Sequence, residues 1–219
     1  MIEAVVFDFD GTIVDTEVPA FASVAEMFAA RSHVLDRDRW VSHIGTRVDA
    51  FDDALTLLAD TTGESYDGLY AHAVNRHRDL TEQASARPGV LELVAECREH
   101  GILLAVATSA SRRWVEPHLA RLGVLDAFST IVPAEEVGNH KPHPEPYLTA
   151  CVRLGVSPER CVAIEDSPTG VQSAAAAGLF TLGVPGPLTV HLDLDGAHVW
   201  LESLAAVTVA WLARTLAER

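Results

Sequence analysis

Asp8 and Asp10 stand two residues apart in the stretch Asp8-Phe9-Asp10-Gly11-Thr12, directly after the apolar run Ala4 to Phe7. Two acids so close can divide labour: one, ionised, attacks an electrophile or holds a cation, while the other carries a proton. The competing reading is a turn, because Asp and Gly both favour turns and Asp bonds nearby amides. Three later features follow apolar runs or stiff loops in order. Thr108 opens Thr-Ser-Ala-Ser-Arg-Arg, a hydroxyl and turn amides able to hold an oxyanion. Lys141 lies in Gly138-Asn139-His140-Lys141-Pro142, where a stiff loop can hold an ammonium near phosphate oxygens. Glu165 and Asp166 leave an apolar run just before Ser167-Pro168, and paired carboxylates there suit a hard cation. Singly each is bland: Thr108 a turn former, Lys141 solvated, Asp166 a capping acid.

The elements that must position these groups read as an alternation. Ala4 to Phe7, Ile102 to Ala107, Cys161 to Ile164 and Phe180 to Val184 are short apolar runs bounded by turn signals, as buried strands are. Helical spacing joins Val90, Val94 and Cys97, then Trp114, Val115, His118, Leu119 and Leu122, then Tyr147, Leu148, Cys151 and Val152. Ser167 is an N-cap followed by Pro at the first helical position, and Gly178 suits the helix end. A last helix is expected over Leu201, Leu204, Ala205, Thr208 and Leu212. The pattern implies a Rossmann-like α/β fold, a doubly wound parallel sheet whose ligand crevice lies beyond the strands' carboxyl ends. The long stretch between the first two strands exceeds what one crossover helix needs, and its own patterns are helical. Residues 1–14 and 82–219 are therefore expected to form the core, with 15–81 an inserted α-helical cap domain whose hinges lie at 15–19 and 80–88.

The 219 residues carry a net charge of −15, which argues against a nucleic acid polymer or an anionic membrane as partner. Cys97, Cys151 and Cys161 lack the spacing of a disulfide framework or a zinc site, so buried thiols are expected. The first residues show no basic leader, and no apolar run is long enough to span a bilayer; a cytoplasmic location is the expectation.

Taken together, Asp8 to Thr12, Thr108-Ser109, Lys141-Pro142 and Glu165-Asp166 with Ser167-Pro168-Thr169-Gly170 resemble the four motifs of the haloacid-dehalogenase-like superfamily. The closest branch in pattern is β-phosphoglucomutase-like and phosphoglycolate-phosphatase-like, with a helical cap after the first motif. The resemblance implies a phosphatase of a small phosphorylated metabolite, such as a sugar phosphate. Asp8 would be the nucleophile that becomes an aspartyl-phosphate, and Asp10 the acid and then the base. Magnesium would be held by Asp8, the Asp10 carbonyl and Asp166 with help from Glu165, and Lys141, Thr108 and Ser109 would bind the phosphoryl oxygens. Arg47, in a cap loop resembling the family's specificity loop, and Arg112 are candidate substrate contacts, each weighed against a solvated surface role.

A mutase is the nearest alternative, but mutases of this pattern carry a histidine early in the first cap helix where this chain reads Glu17-Val18-Pro19-Ala20, and a basic residue where it has Ile44. Asp10 speaks against a dehalogenase, and the absence of lysine in 15–81 against a phosphonate hydrolase. A non-catalytic interaction protein is the alternative from another class. His140 and His143 read as exposed loop residues, and His72 and His77 are spaced off one helical face. A monomer or weak homodimer is expected, since a cap can enclose a small pocket unaided.

Overall fold

The computed structural model describes residues 2–44 and 49–217. Six parallel strands form one sheet: β1 (Ala4–Phe7), β2 (Leu103–Ala107), β3 (Thr130–Val132), β4 (Cys161–Glu165), β5 (Phe180–Gly183) and β6 (Val199–Trp200), in the order β3-β2-β1-β4-β5-β6. The chain winds outward from β1 through β2 to β3, then crosses back to β4. The reversal falls between β1 and β4, which makes their carboxyl ends the natural crevice.

Alternation along the central strands sorts their side chains onto two cores. Val5 and Phe7 of β1, Leu104 and Val106 of β2, and Val162 and Ile164 of β4 share one cluster with Val90, Leu93 and Val94 of α5 (Val90–Glu99), Val115 and Leu119 of α6 (Arg112–Arg121), and Leu212 of α9 (Val209–Ala217). Ala4, Val6, Ala105, Ala107, Cys161 and Ala163 face the other way, against Tyr147, Ala150 and Cys151 of α7 (Glu145–Leu154) and Ala174 of α8 (Pro168–Ala176). Large side chains on one face and small ones on the other let α7 and α8 approach closely, and the sheet is buried on both sides as a parallel sheet requires. The three cysteines are buried free thiols.

Between β1 and α5 stand four helices among the described residues, α1 (Glu17–Ala29), α2 (Arg37–His43), α3 (Ala50–Thr62) and α4 (Tyr66–Thr81). They bury a separate cluster around Val24, Phe28, Trp40, Leu55, Leu58 and Leu69. Asp36 and Asp49 cap α2 and α3 by accepting backbone N–H bonds. The chain leaves and re-enters the sheet side by side: Val14 pairs with Ala86, and the Arg87 N–H donates to the Ile13 carbonyl at 2.8 Å.

Two expectations are corrected, and two strands were not anticipated. The strands β3 and β6 have only three and two residues, too short for an alternation to register. Leu148 and Val152 lie exposed, 38% and 80% of their surface, and the buried face of α7 is Tyr147, Ala150 and Cys151. The last helix begins at Val209, so Leu201, Leu204 and Ala205 precede it in irregular chain, where Leu204 still packs into the core. No described helix is long and apolar enough to cross a membrane.

Candidate active site

The carboxyl end of β1 delivers Asp8, whose N–H continues the ladder by donating to the Ile164 carbonyl of β4 at 2.9 Å. Glu165 and Asp166 leave β4 beside it. All three acids are buried, and an oxygen from each lies within 4.8 Å of the others. Lys141 reaches between them: its Nζ donates to Asp8 Oδ1 and to Glu165 Oε1, each at 2.6 Å, with the side chain 5% exposed.

Glu165 has every lone pair directed. Oε1 also accepts from the Tyr147 hydroxyl at 2.6 Å, while Oε2 accepts from the Asp166 N–H at 3.2 Å and the Ser167 hydroxyl at 3.3 Å. That wholly buried carboxylate is therefore the anchor of Lys141. Asp8 and Asp166 are less encumbered; the Asp166 carboxylate takes one long bond, from the Thr12 hydroxyl at 3.5 Å.

Two glycines make the room. Gly11 has φ +78°, and a Cβ there would meet Asp166 Oδ2 at 2.0 Å; a Cβ at Gly170 would meet the Glu165 carboxylate at 2.0 Å. Gly11 thus serves both the backbone turn and the close approach of Asp166.

Electrostatics leave this cluster two positive charges short when its three carboxyls are ionised. Burial raises Asp8 to about 7 from 3.8, against the pull of Lys141, and Glu165 and Asp10 push it further up. Asp166 is held well above the carboxylate range by burial and then by Asp8 and Glu165. Burial opposes the charge on Lys141, yet Asp8 and Glu165 raise its pKa overall. Three buried carboxyls against one ammonium, oxygen-only donors, and a glycine that admits Asp166 to the cluster fit a hard divalent cation, which would restore the charge balance.

Asp10 points to different company. Its Oδ1 accepts from the Trp114 indole N–H at 2.9 Å, and burial raises its pKa despite that bond and one from Thr16. Thr108 is buried at the end of β2, its N–H donating to the Val132 carbonyl and its hydroxyl accepting from Ala110 N–H at 3.0 Å. A cavity of 480 Å³ opens between the sheet edge and the helices, lined by Asp10, Ser109 and Ala110 on one side and by Glu17, Trp40, His43, Asp49, Phe51 and His77 on the other. A larger cavity of 600 Å³ lies behind Thr12 and Arg87. It lacks Asp10 and Ser109, both of which line the smaller one, so the chemistry selects the smaller one.

The structure brings together Asp8, Lys141, Glu165 and Asp166, with Asp10 and Ser109 on the adjoining cavity. It does not bring Arg112 there. The Arg112 guanidinium donates to Glu116 and Glu136, each at 2.6 Å, and to the Ile131 carbonyl at 3.0 Å, and the residue is absent from the cavity lining. Arg47 lies outside the described residues. His140 and His143 are exposed.

Sequence reasoning missed Tyr147 and Trp114 as polar partners, because each also satisfies an apolar helix face and nothing marks its polar atom. It also missed Arg87, whose guanidinium donates to the carbonyls of Gly11, Val184 and Pro185. His77, set aside by its spacing, lines the cavity and bonds through Nε2 to the Thr16 carbonyl at 3.2 Å.

Residues 5–184 match the family model described as haloacid dehalogenase-like hydrolase. This chain belongs to that family. It is similar to YhcW of Bacillus subtilis (strain 168), 35% identical over 214 residues that cover 97% of this chain and 96% of the relative. Hexitol phosphatase B of Escherichia coli (strain K12) is 32% identical over 187 residues, 84% of each chain. Among solved structures, a HAD family hydrolase from Deinococcus radiodurans R1 with bound phosphate and sodium superposes with a TM-score of 0.81 at 30% identity, covering 98% of this chain and 96% of the other.

Proposed function

We propose that the protein is a magnesium-dependent phosphatase that hydrolyses a small organic phosphate monoester, a sugar phosphate in class, through an aspartyl-phosphate on Asp8. The observation that carries this reading is the placement of Lys141 against Asp8 at the switch point, with Asp166 beside them. In the first step an Asp8 carboxylate oxygen attacks phosphorus, the bond from phosphorus to the ester oxygen breaks, and Asp10 gives its proton to the departing alkoxide. In the second step water attacks the phosphorus of the acyl phosphate, its proton goes to Asp10, and Asp8 is released.

Lys141, the Thr108 hydroxyl and the amides after it support the equatorial oxygens. Asp8, Asp166 and the Asp10 carbonyl would hold Mg²⁺, with Glu165 fixing Lys141 behind them. When bound, the cation offsets the repulsion between an anionic nucleophile and an anionic ester. Burial raises the Asp10 pKa, which is the direction the first step requires.

Residues 15–81 act as the cap. Their Glu17, Trp40, Asp49 and His77 line the cavity and supply mostly hydrogen-bond acceptors and aromatic surface, which suits a hydroxyl-bearing leaving group. The relatives named above support a phosphorylated metabolite as substrate.

The test is release of p-nitrophenol from p-nitrophenyl phosphate with Mg²⁺, lost on chelation. Asp8→Asn should lower turnover by about a thousandfold or more, about 4 kcal/mol in barrier. Turnover by that variant at the wild-type rate would sink the assignment.

A further inference from the structure

We propose that Trp114 is a positioning residue for Asp10, fixing one oxygen of the acid/base carboxylate so that the other is the one that carries the proton. This rests on the function proposed above and adds to it a residue outside the four motifs. The Trp114 Nε1–H donates to Asp10 Oδ1 at 2.9 Å, a bond between chain segments 104 residues apart. An indole N–H donates and cannot accept, so the bond to Oδ1 favours the arrangement in which Asp10's proton is carried on Oδ2. A carboxylate that must serve the leaving oxygen in one step and water in the next loses rate if it rotates between them.

The ring that fixes it is itself wedged. Its centroid lies 5.3 Å from that of His77 in α4 and 4.6 Å from that of His118, edge on at 66°. His118 in turn rests on Phe9, between the two acids in sequence, at 5.9 Å. His77 is tied to the Thr16 carbonyl where α1 begins. The donor is therefore held from the cap side and from the core side at once, whereas the apolar face of α6 would be satisfied by any large ring at position 114.

Trp114→Phe keeps a ring and removes the N–H. With an alkyl phosphate monoester, whose leaving group needs a proton, we expect kcat to fall tenfold to a hundredfold, part of the roughly 10²–10⁴ that general acid–base catalysis supplies, with KM within about twofold of wild type. With p-nitrophenyl phosphate, whose leaving group departs unprotonated, the initial burst of nitrophenolate should keep its wild-type rate while the turnover that follows slows. In an Asp10→Asn background Trp114→Phe should add no further loss, since it acts through Asp10. Equal losses on both esters including the burst, a rise in KM that accounts for the loss, or a full repeat of the loss in Asp10→Asn would each overturn the role. Should the Phe variant not fold, as judged by circular dichroism, Trp114→Met, which also lacks a donor, is held to the same outcomes. A wild-type protein that fails to hydrolyse p-nitrophenyl phosphate with Mg²⁺ is a separate result: it removes the phosphatase reading itself.

Discussion

The cluster around Lys141 and the cavity facing the helices are neighbours built on opposite plans. In the cluster every charged group is buried and most oxygens have a named donor, with Glu165 accepting four bonds and none of its surface exposed. In the cavity the polar groups, acids and imidazoles among them, are spread around open volume, and Asp49 also caps α3. Under the proposed function, the cluster is preorganised to stabilise charge at one point, as rate requires, and the cavity is where a variable leaving group would be recognised.

The sharpest way to break this contrast is Lys141→Met. It leaves Asp8 and Glu165 buried without their cation, so we expect a stability loss of about 3 kcal/mol in denaturant titrations. Phosphate release should fall on the order of a hundredfold to a thousandfold, as for loss of one charge-stabilising donor. A variant with near wild-type stability and turnover would show that the cluster is not preorganised around this ammonium.

The metal sharpens the same side. Asp8, raised by burial to about 7, binds more protons folded than unfolded, as does Asp166. The stability Asp8 contributes is therefore full below about pH 4 and is lost as pH rises through about 7 in metal-free protein, and Asp166 acts in the same direction. Mg²⁺ at a hundred times its dissociation constant should add about 2.7 kcal/mol, and the gain in Tm should be larger at pH 8 than at pH 5. An equal gain at both would mean that the cation binds elsewhere.

The smallest effect is expected in the cavity. Burial first, then Asp10, Asp15 and Asp49, raises Glu17 to about 7, and its side chain reaches no protein donor among the described hydrogen bonds. Glu17→Gln should raise KM for a sugar phosphate by about fivefold, about 1 kcal/mol for one hydrogen bond, and lower kcat less. A drop in kcat as deep as that of Lys141→Met would erase the distinction between the two regions.

The same contrast explains what the sequence disclosed. Asp8, Lys141, Glu165 and Asp166 were legible because each follows a strand or sits in a stiff loop, and because their chemistry tolerates few substitutes. The four central strands were legible because they are continuous apolar runs. Trp114 and Tyr147 were not, since a ring on a buried helix face has the same pattern whether or not its polar tip is used. Arg112 misled for the converse reason: an arginine beside a phosphate turn looks like a ligand until Glu116 and Glu136 are seen to hold it. The strands β3 and β6 are defined by their neighbours' ladders, and no local pattern of two or three residues encodes that.

The pairing of Val14 with Ala86 has a further consequence. The sheet meets the seventy or so residues between them as one crossing point, two chain segments abreast, and the entropy of closing so long a loop grows only with the logarithm of its length. Evolution can therefore lengthen, shorten or exchange what hangs from that junction without altering the register on which Asp8 depends. Under the proposed function, the sheet half is a socket and the helices an interchangeable fitting, so new specificities can arise by grafting at Val14 and Ala86 while the reaction stays the same.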